Sequence, residues 1–243
     1  MSTVVKRGFC QDDPKEFNSG AIEKLQKAGK DVQYLLNQGY PVKSATTFVG
    51  NHYLLSERQR LALARAISAD EAIALRKAKE VVTVSEGCTV NIDGFNTIIS
   101  LEVALSESLL LKCMDGTVRD LAALRGTYRL IDKTDDAIRL IGRKFSEYKV
   151  GKAVFYLDAP VSNSGRLKVR IMELLAEYDF EVQVEVINQV DSALEKLDNV
   201  ITGDAIILDK CISWINLNRQ IIDDYIGEYP YVDFESFQEE YFR

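Results

Sequence analysis

The residues of this sequence best suited to chemistry are aspartates that follow short apolar, β-branched runs. Asp93 follows CTVNI in the turn Asp93-Gly94-Phe95-Asn96, Asp158 follows KAVFYL, and Asp204 follows NVIT and Gly203, with Asp209 one helical turn beyond. Asp191 opens the stretch after EVQVEVI, while Asp115 and Asp120 come after SLLLKC. Ligands of open α/β sheets bind outside the carboxyl ends of the strands, so these side chains are expected at one edge. Gathered carboxylates repel one another unless protons or a cation neutralise them. Mg²⁺ or Mn²⁺ suits such an all-oxygen set and would activate water beside a phosphate. The competing reading of each aspartate is a helix N-cap. Capping or a turn accounts fully for Asp115 and Asp191, and a cap can account for Asp204 ahead of IILDK, while Asp209 fits an exposed helix position. Asp93 resists it most, because Gly94 and Asn96 make a tight polar turn where backbone can approach something closely.

Composition narrows the chemistry. A single His52 excludes zinc and facial-triad sites that need several imidazoles, and disfavours Ser-His-Asp hydrolysis. The four cysteines, Cys10, Cys88, Cys113 and Cys211, are scattered with no CxxC pair, against a structural zinc site or a disulfide framework. The net charge of −7 argues at first against a polyanionic partner. The charges are unevenly spread, however: 13 Lys and Arg face 9 Asp and Glu over residues 1–80, and 17 face 28 over residues 81–243. The acidic excess thus lies partly at the expected strand ends, where a bound cation would reverse the local field.

The elements that must position these residues follow from periodicity. Residues 1–80 are expected to form a small, mildly basic helical region. Asn18-Ser19 starts a helix bearing Ile22, Leu25, Ala28, Val32 and Leu36, and Gly39-Tyr40-Pro41 stops it. PVKSATTFVGNHYLL is expected to be a linker, and Ser56 to cap ERQRLALARAIS. From residue 88, CTVNI, SLLLKC, KAVFYLDA, EVQVEVI, NVITG and SWINL are expected strands. TIISLEVALS, TVRDLAALRG, TDDAIRLIGRKFSEY, SGRLKVRIMELLAEY, VDSALEKL and NRQIIDDYI are the helices between them. Such alternation predicts an α/β domain over 81–226 with a mainly parallel central sheet flanked by helices. Residues 227–243, EYPYVDFESFQEEYFR, form an acidic, aromatic tail that is expected to dock. With no apolar run near about 20 residues and no signal-like leader, a cytoplasmic protein without a membrane partner is expected.

The NIDGFN turn after a first strand resembles the opening of PIN-like nucleases, above all the NYN type with its Asp-Gly-Tyr-Asn signature. FYLDAP resembles the family's middle strand with its terminal Asp, and VITGDAIILD its strand followed by Thr/Ser-x-Asp. The resemblance covers about residues 88–220. It implies a metal-dependent nuclease in which Asp93, Asp158 and Asp204 are catalytic and hold Mg²⁺ or Mn²⁺, with RNA ahead of DNA as substrate. Asp191 resembles the acidic residue that opens a helix before the family's last Asp, and Asp209 and Glu102 are additions to the set. The whole chain, including RGFCQDDPKEF and VGNHYLLSERQRLALARA, also resembles a largely archaeal family that carries a domain-of-unknown-function label, which implies no activity.

One segment departs from the PIN pattern. In DAPVSNSGRLKVR, Ser162, Asn163, Ser164 and Gly165 open a helix whose free N–H groups favour an anion, and Arg166 and Lys168 follow. With Asn96 they form a candidate substrate-binding set; an ordinary cap with a basic solvated face is the alternative. Three functions remain open: a metal-dependent nuclease or phosphoesterase; a non-catalytic nucleic-acid- or nucleotide-binding protein that uses Arg58, Arg60 and Arg65 together with the Ser162–Gly165 loop; and an interaction protein whose helices and tail bind a partner or a second copy.

Overall fold

The computed structural model describes residues 5–122 and 126–236. The first helices are α1 (Asp13–Glu16), α2 (Ser19–Asn37), α3 (Val42–His52), α4 (Glu57–Ala66) and α5 (Asp70–Lys79). Asn18 caps α2 by accepting from the Ala21 N–H, and Ser56 with Gln59 forms a reciprocal capping box on α4. The expected linker is largely helix α3. Its β-branched Thr46, Thr47 and Val49 weaken the local helical signal, and burial of Ala45, Thr46, Val49 and Gly50 supplies what propensity lacks.

The remaining elements are β1 (Thr89–Asp93), α6 (Gly94–Leu105), β2 (Leu110–Lys112), β3 (Val118–Asp120), α7 (Asp132–Tyr148), β4 (Lys152–Asp158), α8 (Ser164–Leu175), β5 (Glu181–Ile187), α9 (Val190–Leu194), β6 (Val200–Ile201), α10 (Ala205–Lys210), α11 (Leu217–Ile221) and β7 (Tyr231–Asp233). A π-helical turn, Ile222–Ile226, continues α11. The central sheet is parallel throughout, in the order β5-β4-β1-β6. Numbered within the sheet this is 3-2-1-4, so the winding reverses between β1 and β6, the topological switch point of a doubly wound fold. Val90, Ile92, Ala153, Phe155 and Ile201 are buried in it, as a sheet covered on both faces requires.

Three expectations change. SLLLKC leaves the central sheet: β2 pairs antiparallel with β3 and parallel with β7 in a second, three-stranded sheet. The expected helix TVRDLAALRG contains strand β3, and its Ala123, Leu124 and Arg125 lie outside the described residues. SWINL is not a strand; Trp214 makes isolated bridges to Glu80 and Val200, and Leu217 already begins α11. The tail docks through β7 as far as it is described, and residues 237–243 lie outside the description.

The second sheet ties the helices to the rest. Leu25, Val32, Val49, Ala62 and Leu63 share one apolar cluster with Leu111, Met114 and Leu121 and with Val232 and Phe234 from the other end of the chain. No helix among the described residues is long and apolar enough to cross a membrane.

Candidate active site

At the switch point the ends of β1 and β6 are stitched together by polar side chains. Asp93 caps α6, its Oδ1 accepting from the Asn96 N–H at 3.4 Å, while Oδ2 accepts from Thr202 Oγ1 at 2.8 Å. Thr202 Oγ1 in turn accepts from the Asp204 N–H at 3.0 Å, and Asn96 Oδ1 from the Gly203 N–H at 2.6 Å. Asp204 caps α10 with Oδ1 alone, bonded by the N–H groups of Ile206 (2.7 Å) and Ile207 (3.4 Å). The cap reading is therefore correct for Asp93 and Asp204; the second oxygen of Asp93 is engaged by Thr202, and that of Asp204 takes no part in the cap.

Asp158 at the end of β4 and Asp191 in the first turn of α9 line the same cavity as Asp93 and Asp204. Its volume is about 470 Å³, within the range of roughly 300–1,000 Å³ usual for small-ligand sites. Burial pushes the Asp93 carboxyl up to about 7 against the help of Thr202, and the charges of Asp204 and Asp191 add to the rise. Burial also raises Asp158, reinforced by Asp191, and raises Asp191, reinforced by Asp204. Asp93, Asp158 and Asp191 thus hold protons more tightly than free carboxylates do.

Among the described residues no three His, Cys, Asp or Glu side chains stand together as a ready-made metal cage. The carboxylate oxygens of Asp93, Asp158, Asp191 and Asp204 in the lining are donors of the kind a hard divalent cation takes.

Gly94 fulfils its expected role. A Cβ there would stand 2.5 Å from Leu157 Cδ2 and 3.1 Å from the Tyr156 carbonyl oxygen, so the first residue of α6 passes the end of β4 with a bare Cα. Gly94→Ala is expected to lower stability by about 1–3 kcal/mol through overpacking, seen as a lower urea midpoint; an unchanged midpoint would remove this constraint.

The opposite wall comes from Ala64 and Arg65 of α4, Val42 of α3, and Arg119 and Asp120 of β3. Arg119 is buried and fully engaged. Nε donates to the Gly203 carbonyl, one terminal nitrogen to the Arg65 carbonyl and the other to Asp115. It thereby fixes the residue before Asp204 to the helical region. Sequence reasoning missed Arg119 because TVRDL was assigned to a helix; the Val118-Arg119-Asp120 triplet had too few residues for strand alternation to show.

The other candidates lie apart. Asp209 on α10 pairs with Arg76 at 2.7 Å and does not line the cavity. Asp115 is a buried ion-pair residue: burial opposes its charge, but Arg119, Thr117 and Arg76 hold its carboxyl down at about 2. Glu102 is enclosed by Arg7, Tyr128 and Thr134. In the loop before α8, the Ser162 N–H donates to the Gly126 carbonyl and Asn163 Nδ2 to the Tyr128 carbonyl at 2.6 Å. Ser164 is buried, while Gly165, Arg166 and Lys168 are exposed, and none of this segment lines the cavity. Arg58 is held by Asp13 and by the Gly8 and Leu121 carbonyls, and Arg60 by Asn51 and the Leu55 carbonyl. Of the three arginines of α4, Arg65 reaches the cavity.

Comparison with known proteins places this arrangement among relatives. Residues 66–220 match the family described as "Domain of unknown function (DUF5616)", and residues 24–79 match "Protein of unknown function (DUF434)". "Uncharacterized protein MJ0935" of Methanocaldococcus jannaschii is 37% identical over 185 residues, covering 76% of this chain and 88% of the relative. No solved structure matches the chain.

Proposed function

This chain belongs to the DUF5616 family, and from the cavity its fold builds we propose that it is a divalent-cation-dependent phosphoesterase, a PIN-like nuclease of NYN type acting on RNA ahead of DNA. The observation that carries the proposal is the meeting of Asp93, Asp158, Asp191 and Asp204 around one cavity at the switch point. Mg²⁺ or Mn²⁺, when bound, supplies an activated water and a charge that offsets the negative charge growing on the phosphoryl oxygens. The protein's own groups then have distinct tasks. Asp93, oriented by Thr202 and Asn96, is placed to hold the cation or to accept a proton from its water. Asp204 presents its uncapped oxygen from a loop that Arg119 and Asn96 hold in place. Asp158 and Asp191 extend the acidic edge toward β5.

The alternative of binding without catalysis has less to stand on. Arg58 and Arg60 are occupied within the protein, and the Ser162–Gly165 loop does not line the cavity. The test is hydrolysis of single-stranded RNA and DNA in Mg²⁺ or Mn²⁺, with a chelator as control. Cleavage that needs the cation and falls away with chelation is expected. Absence of cleavage over a broad panel of RNAs, together with no Mn²⁺ binding, would refute the proposal.

A further inference from the structure

The cavity has a cationic side as well as an acidic one, and its two arginines are not equivalent. Every nitrogen of the Arg119 guanidinium has a protein acceptor, so this residue is committed to structure. Arg65 is spent differently. Its Nη1 donates to the Asp120 carbonyl, with longer contacts to Asp120 Oδ1 (3.4 Å) and the Ala122 carbonyl (3.5 Å); among the described residues Nη2 has one contact, 3.4 Å from the Ala122 carbonyl. The side chain is 33% exposed. A guanidinium held at one edge and open at the other is prepared to receive an oxyanion in a fixed orientation.

The rest of the lining limits what that oxyanion can belong to. Val42, Phe95, Ile99 and Ile206 give the cavity apolar wall between the arginine and the aspartates. Residues of α3 and α4 join the strand ends in lining this cavity of about 470 Å³, a volume suited to a small ligand. We propose that the pocket binds a phosphate ester of about nucleotide size, its phosphate on the Arg65 guanidinium and its organic body against Val42, Phe95, Ile99 and Ile206. This rests on the phosphoesterase reading for what happens next, but binding itself does not depend on it. Residues 24–79 and 66–220 match separate family models, so the site is composite: Val42, Ala64 and Arg65 come from the first stretch and the aspartates from the second.

The test is titration calorimetry of the full chain with adenosine 5′-monophosphate, with a short 5′-phosphorylated oligoribonucleotide and with adenosine, each with Mg²⁺ and with chelator. Arg65→Gln is expected to weaken both phosphate ligands by roughly ten- to a hundredfold, as loss of a charge-assisted bond does, and to leave adenosine unchanged. Arg65→Lys should recover part of the loss. Arg119 holds the Arg65 backbone carbonyl, an anchor that the side-chain change leaves in place, and a melting curve verifies the fold. Val42→Asp, at a half-exposed position on the rim, should also weaken the phosphate ligands. Tighter binding of the oligonucleotide than of the mononucleotide identifies a strand end; equal binding identifies a free nucleotide. Undiminished phosphate affinity in folded Arg65→Gln, or no phosphate binding by the unaltered protein, overturns the inference. RNA cleavage with KM and kcat unmoved by Arg65→Gln overturns it while the hydrolase reading survives. Arg65-dependent binding with neither cleavage nor Mn²⁺ uptake sustains it while the hydrolase reading falls.

Discussion

Asp93→Asn is expected to abolish cation-dependent hydrolysis and, in the same protein without metal, to raise stability above neutral pH. The two effects have one origin. The carboxyl is moved by burial from an ordinary value of 3.8 to about 7, so the folded state holds its proton more tightly than the unfolded chain does. Below about pH 3 both states are protonated and the group contributes nothing. As pH rises toward 7 the unfolded chain ionises first, and the folded state loses up to about 4 kcal/mol relative to it. Asparagine does not titrate and can keep an oxygen toward the Thr202 hydroxyl or the Asn96 N–H. The variant should match the parent in urea unfolding near pH 3 and exceed it by a few kcal/mol at pH 8. Hydrolysis should fall by about a hundredfold or more, the usual contribution of a positioned acid–base group. Equal stability at pH 8 would deny the buried charge, and unaltered turnover would deny its use.

Arg119→Met should destabilise the protein by about 3–5 kcal/mol, the cost of breaking a buried ion pair from one side. The methionine fills much of the same space but donates nothing. It leaves the carbonyls of Gly203 and Arg65 without their donor and the buried Asp115 with Arg76 as its remaining cation. Hydrolysis should fall further than stability explains, because Gly203 precedes Asp204. Urea denaturation of the single variant, and a double-mutant cycle with Asp115→Asn, measure the coupling. A loss under about 1 kcal/mol would show that the arginine is not the tie described.

The acidic edge was legible because strand ends announce themselves. The change from helical to strand-like runs at residue 88 located Thr89–Asp93, and a polar turn with Gly94 marked where it must bend. The opposite wall was hidden for two physical reasons. Helix α3 has β-branched residues and Gly50, whose bare Cα lets Arg60 pack within 2.9 Å of where a Cβ would be, so it is a helix made by its neighbours. Strand β3 is only three residues long, and nothing local separates Val118-Arg119-Asp120 from a helical turn. The loop before α8 is a different case: a Ser/Asn cap and an anion-binding helix start have the same sequence, and here Asn163 makes no side-chain cap bond while the loop does not line the cavity.

Strand β7 has a consequence for the order in which the molecule can be made. Val232 and Phe234 belong to the apolar cluster of Leu25, Val32, Val49 and Leu63, and β7 itself completes the sheet begun by β2. Chains emerge from the ribosome amino end first, at about 5–20 residues per second, and early segments usually fold as they appear. Here the helices that emerge first lack part of their own core until the last described strand has left the tunnel. Their packing waits on the emergence of β7, and the pocket wall bearing Arg65 is completed only with it.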